Sequence, residues 1–441
     1  MTAPVLPVAA FDGPRGWVAG VRYGFMGFPL AFVALPLYVL WPHHMAATFG
    51  VPLATLGALL LGMRLLDAVV DPALGRWVDR VAANQNTSQK GIKRLYVFTS
   101  LLLFLGFWAL FFPRPVVAVG PTGVLVWAAV ALGVTYLAFS WLTVAHQSWG
   151  ARLGGTDTQR GRVVAWREGF GLCGVVVASV LPTLAGLPAL VAALGVALAL
   201  GVWGWSRAVA PALPVLPTAS TGTDAPSAWA PLALRPFRRL LAVYVVNGLA
   251  SAIPATLVLF FIQDRLQAPA ALQPAFLGGY FVCAAASIGL WLKAVGRWGL
   301  ARTWALGMGL SVAVFGWVAL LGAGDWPWFL VVCALSGAAL GADLVLPPAL
   351  LAGLIGDAGE RGRSEGSFMG WWGFATKLNL AVAAGVGLPL LGWLGYTPGQ
   401  QDPQALWALT LAYAVVPCVL KLAAAALLYV FFLKRGPHET A

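Results

Sequence analysis

Charge is scarce in this chain. Of 441 residues only 10% are Asp, Glu, Lys or Arg, while 60% are apolar. An ordinary soluble domain is about 25% charged. No soluble core hides so much apolar surface, so the solvent for most side chains is lipid. Cysteine is nearly absent too. Cys173, Cys283, Cys333 and Cys418 each sit in a different apolar run, without paired or metal-ligand spacing. That excludes a disulfide framework and a cysteine metal site, and leaves them as small apolar core residues. No GKS or GKT phosphate loop occurs, nor an HExxH or a CxxC. Direct ATP coupling and the common hydrolase chemistries lose their support, and no enzyme and no bound cofactor is expected. The N-terminus lacks the basic start and clean apolar stretch of a cleavable signal peptide, so the first span is expected to serve as its own signal.

Twelve long apolar runs are present, at about 19–42, 51–75, 95–113, 122–148, 165–187, 189–209, 239–263, 272–294, 303–322, 327–355, 367–394 and 404–433. They are apolar all round and too long for barrel strands, so each predicts a membrane-spanning helix. The weakest boundary is 185–188, between runs five and six. The net charge of +12 invites a nucleic-acid partner, but the basic residues lie between the runs, as topology signals do. Of 27 Lys and Arg residues, 21 fall in alternate loops and termini, two (Arg114 and Arg265) in the opposite loops, and four (Arg64, Arg167, Lys377 and Lys421) within runs. The positive-inside rule then predicts both termini in the cytoplasm and a multi-pass inner-membrane protein. Its expected partners are a small-molecule solute and membrane lipid, not nucleic acid, and it is expected to work as a monomer.

The chain also divides in two. The stretch 210–238 is rich in Pro, Ser and Thr and reads as a linker, leaving six runs in 1–209 and six in 239–441. A faint repeat relates the halves: Gly75–Arg80 and Val295–Leu310 are both basic turns between the second and third run of their half. This arrangement of two pseudo-symmetric six-helix bundles resembles the major facilitator superfamily, an all-α membrane fold.

Ionisable groups in lipid are costly and point to function. Arg64, Asp67 and Asp71 are spaced i, i+3 and i+7, so they share one helix face. Pro72 frees a backbone carbonyl one turn up. Two carboxylates and a carbonyl suit Na⁺, or a proton if one carboxyl titrates near the working pH. The plainer alternative is mutual neutralisation of Arg64 and Asp67. Asp79 and Arg80, at the cytoplasmic end, are expected to form a gate-locking ion pair. Asp343, just before Pro347 and Pro348, is a candidate cargo contact or a partner for Lys377. Asn247 and Ser251, one turn apart, and Trp371 and Trp372, flanked by glycines, are candidate cavity residues; helix packing is the alternative for each.

The run MRLLDAVVDPALGRWVDR resembles the second-helix signature of the glycoside–pentoside–hexuronide:cation symporters, the melibiose-carrier family. Tyr23–Phe28, Arg160–Gly174 and Gly341–Tyr396 resemble further family stretches in the same order. The resemblance implies that Asp67 and Asp71 hold the cation, that Lys377 lies close to them, that Arg167 stands near the solute, and that Trp141 packs on a sugar ring. Two departures stand out. The family places an acid in helix one, where this chain has Pro29, Leu30 and Ala31, and another in helix four, where Tyr136–Ser140 carries none. The expected function is cation-coupled symport of a small polar solute, a sugar or glycoside first, with H⁺ or Na⁺ as coupling ion. The missing acids leave an amphipathic or lipid-like cargo as the alternative, and a non-transporting membrane sensor or scaffold as a remote one.

Overall fold

The computed structural model describes residues 7–83, 89–113, 120–211 and 227–434. Every regular element among them is helical. Helix α1 runs over 16–49 in four segments, Gly16–Gly24, Gly27–Leu35, Pro36–Leu40 and Trp41–Phe49. It is followed by α2 (Leu53–Ala83), α3 (Gln89–Phe111), α4 (Pro121–Arg152), α5 (157–185) and α6 (187–206). After 212–226, which lie outside the described residues together with most of the expected linker, come α7 (Arg235–Phe260), α8 (Gln273–Trp298), α9 (Leu300–Val318), α10 (Trp326–Asp357) and α11 (Glu365–Trp393). The last helix, α12, covers Pro403–Leu433. Eight helical stretches among the described residues are long and apolar enough to cross a membrane by that measure alone, and α5 and α6 share one of them.

The weak boundary at 185–188 is resolved by a single residue. Residues 157–206 form one helical stretch, interrupted only where Gly186 has φ 79°. A straight helix of that length would measure about 75 Å, more than twice the ~30 Å hydrocarbon core. The chain instead folds back: a side chain on Gly174 would meet Phe28, and one on Gly201 would meet Met26 and Pro29. Residues far apart in α5 and α6 thus lie against the same turn of α1. Only glycine adopts the Gly186 conformation without strain.

Helix packing here depends on small residues. Gly20, Gly24 and Gly27 give α1 a bare face against Trp166 and Arg167 of α5, and a Cβ at any of them would collide with that helix. With no hydrophobic drive between helices in lipid, such close approach is what makes them adhere. The YGFMGF stretch is therefore the seam between α1 and α5. Gly50, at φ 65°, ends α1 by donating its N–H to Ala46.

The chain forms two compact units. The first comprises Met1–Pro231 with Ile355–Phe374; the second comprises Leu232–Leu354 with Ala375–Ala441. The first thus gathers α1 to α6 with the adjoining ends of α10 and α11. The core of the second is aromatic, with Phe261 stacked on Tyr413 at 4.3 Å and Phe276 and Phe329 beside them.

Candidate functional site

Helix α2 is amphipathic in reverse. Leu61, Leu65, Leu66 and Val69 are 49–67% exposed, while Asp67 and Asp71 are 4% and 1% exposed. Apolar side chains turned outward and carboxylates turned inward are what a lipid solvent selects. Asp67 accepts a hydrogen bond from the Ser140 hydroxyl of α4 at 2.6 Å. Asp71 lies against the start of α11. A Cβ on Gly373 would stand 2.7 Å from Asp71 Oδ2, and one on Gly370 would stand 2.5 Å from its carbonyl oxygen. Two glycines one helical turn apart therefore let α11 close over this carboxylate. The Arg64 guanidinium lies 4.1 Å from the centre of the Tyr38 ring, a cation–π contact.

One turn beyond the span, Asp79 is buried and accepts from the backbone N–H groups of Gly366 and Ser367 at 2.6 and 2.7 Å, and from the Ser367 hydroxyl at 2.8 Å. These are the unpaired donors that open α11, so the carboxylate caps that helix and meets its positive end. Arg152 of α4 joins Asp79 at 3.1 Å to Glu365 at 3.2 Å. The expected ion pair of Asp79 with Arg80 is not formed: Arg80 is exposed and Arg152 takes its place. Successive residues of a helix point about 100° apart, and here Asp79 turns inward to Arg152 and the start of α11 while Arg80 turns out. Burial pushes the Asp79 carboxyl up to about 6, against the opposing pull of Arg152 and the hydrogen bonds from Ser367 and Gly366.

A second buried acid stands in the second unit. Asp343 Oδ1 accepts from Trp304 Nε1 of α9 at 2.8 Å and from Asn247 Nδ2 of α7 at 3.2 Å. Its Oδ2 takes the Lys421 ammonium of α12 at 2.5 Å, and Lys421 also donates to Ser251 at 3.0 Å. Of the two roles expected for Asp343, the lysine partner is there, but it is Lys421. Lys377 is half-buried on α11, between Thr376, which shares a hydrogen bond with Tyr244 at 2.8 Å, and the buried Asn379 two residues on.

The family described as MFS/sugar transport protein matches residues 19–435. The chain belongs to that family. This member of the major facilitator superfamily is thus a multi-pass membrane transporter and not an enzyme. No curated protein matches it in sequence. Solved structures match throughout its length. A bacterial homologue of the iron transporter ferroportin, outward-facing, aligns with TM-score 0.70 and 16% identity over 94% of this chain and 98% of its own. The human organic anion transporter MFSD10 (TETRAN) gives 0.63 and 18% over 95% and 100%. The E. coli fucose:proton symporter FucP gives 0.62 and 16% over 92% and 98%. At these identities the likeness is one of fold.

The remaining candidates of this MFS transporter fall into distinct surroundings. Trp141 is fully enclosed, 5.5 Å from Trp77 and 5.7 Å from Tyr96 between ring centres. Arg167 is buried and paired with its neighbour Glu168 at 2.5 Å. Trp371 donates to the Ala228 carbonyl at 2.8 Å and packs on Trp229, while Trp372 is buried beside it in sequence. Asn247, Ser251 and Asp343 are brought together within the second unit, while Trp141 and Arg167 lie in the first. Trp304, Arg152 and Glu365 were not singled out in sequence. Lys421 was noted there as a cation inside the last apolar run. Trp304 is an unremarkable residue type that gains its role only from contact.

Proposed function

We propose that this transporter is a cation-coupled symporter of a small polar solute, a sugar or glycoside, working by alternating access. The observation that carries the proposal is the buried pair Asp67 and Asp71, one turn apart on a helix whose other face is exposed and apolar. A carboxylate at that depth costs several kcal/mol and is not kept for packing. The coupling ion is the proton. A sodium site wants about six oxygen ligands, whereas a proton needs one carboxyl, and Ser140 already adds a donor to Asp67. The Asp79–Arg152–Glu365 cluster acts as the cytoplasmic gate. The same reading places the carrier in the inner membrane with both termini cytoplasmic.

The test is uptake into proteoliposomes driven by one imposed ion gradient at a time. A pH gradient alone should drive accumulation of a hexose or glycoside. Sodium-driven accumulation at fixed pH would overturn the proton assignment, and uptake indifferent to both gradients would overturn symport. A second reading, an amphipathic or lipid-like cargo, is favoured by Pro29, Leu30 and Ala31 standing where the related sugar carriers place an acid. Competition by lysolipid that exceeds competition by galactosides would favour that reading.

A further inference from the structure

A cavity of about 200 Å³ lies wholly within the second unit, among α7, α8, α9, α10 and α12. Rings from four of these helices wall it: Phe276 and Tyr280, Phe315, Phe329 and Tyr413. Its polar groups include Asp343, Lys421, Ser251, Ser311 and Ser336. Lys421 is 4% exposed and has three N–H groups. It gives one to Asp343 and one to Ser251. Among the described residues nothing accepts the third, and the side chain lines the cavity. The hydroxyls of Tyr280 and Tyr413, which line it too, likewise have no hydrogen-bond partner among the described residues.

We propose that the second unit holds a ligand pocket of its own, in which an uncharged molecule of one ring places a hydroxyl head on Lys421 and an apolar body among the aromatic walls. Three observations lead there. The ammonium and carboxylate already cancel, so a ligand with net charge would leave a buried charge uncompensated. The spare groups are N–H and O–H, and a hydroxyl both accepts from the first and pairs with the second. An apolar cavity of about 150 Å³ takes benzene, so about 200 Å³ suits a ring with a short substituent. No residue of the first unit takes part, so the proposal stands apart from the cation-coupling reading.

The test is calorimetric titration of the full-length protein in lipid nanodiscs, with empty nanodiscs subtracted. The probes are 2-phenylethanol, phenylacetate and phenethylamine, which share a body and differ in head-group charge. The alcohol should bind saturably, at least tenfold tighter than either charged analogue. Asp343→Asn combined with Lys421→Met removes both charges together, and should weaken the alcohol about tenfold while thermal unfolding stays cooperative. Tyr280→Phe keeps the ring, removes one hydroxyl, and should weaken it about threefold. Asp71→Asn, in the other unit, should leave the affinity unchanged. Equal binding of the three probes, unsaturable uptake matching empty nanodiscs, or an unchanged affinity in both second-unit variants would each overturn the proposal. So would a loss caused by Asp71→Asn.

Discussion

Each unit buries acid in its helical interior, but in different company. Asp343 is cross-braced by an ammonium, an amide and an indole N–H from three separate helices. Asp67 and Asp71 share one helix, and the bond to Asp67 from α4 is a neutral hydroxyl. Asp71 faces glycines whose lack of side chains sets how near α11 can come. A carboxylate bonded to a fixed ammonium holds helices in register, and its charge is spoken for. Two carboxylates one turn apart share one helix face, as a single cation site requires. On the proposed reading, ion coupling belongs to the first unit and a net-neutral pocket to the second.

The comparison can be broken most directly at Asp71. Asp71→Asn should abolish gradient-driven uptake, a loss of 100-fold or more, with normal membrane insertion; accumulation at the wild-type level would remove the cation-site assignment. Next in size is Lys421→Met. It strands the Asp343 carboxylate and should cost about 3–5 kcal/mol of stability in thermal unfolding. The double change with Asp343→Asn should recover most of that loss, since it removes both charges. Additive losses in that cycle would show that the pair is not coupled.

Asp79 offers a pH test. Its carboxyl, ordinarily at 3.8, is pushed to about 6 by burial, so the folded protein holds this proton more tightly than the unfolded chain does. The stability from that proton is therefore full below about 4 and lost as the pH rises through about 6, a change on the order of 3 kcal/mol. Melting curves of the wild type should fall between those pH values relative to Asp79→Asn, and parallel curves would refute the shift. The smallest effect concerns Gly373. Gly373→Ala puts a methyl group 2.7 Å from Asp71 Oδ2 and should reduce coupled uptake several-fold, whereas Gly385→Ala, with nothing within 4 Å, should not. Equal effects at the two glycines would deny that α11 positions the carboxylate.

Much of this was legible in the sequence. Apolar runs and alternating basic loops defined the helices, because both follow from solvent and need no partner to be read. Asp67 and Asp71 stood out for the same reason: a charge inside an apolar run is conspicuous wherever it ends up. The partners were not legible. That Asp79 would choose Arg152 over Arg80, or Asp343 would choose Lys421 over Lys377, depends on which helix faces which. No spacing along one chain encodes that. Trp141, brought in by family resemblance, shows a related limit: a tryptophan inside a nest of Trp77 and Tyr96 looks the same in sequence as one facing open space.

The reversal at Gly186 bears on how the protein is made. With one residue between α5 and α6, the two helices form a hairpin with no connecting loop, and we expect them to enter the bilayer as a unit. Any residue with a side chain at this position should slow insertion rather than transport, so its phenotype belongs to yield. The turn also leaves no slack for a protease site or a fluorescent label. A probe placed there would report on two helices at once.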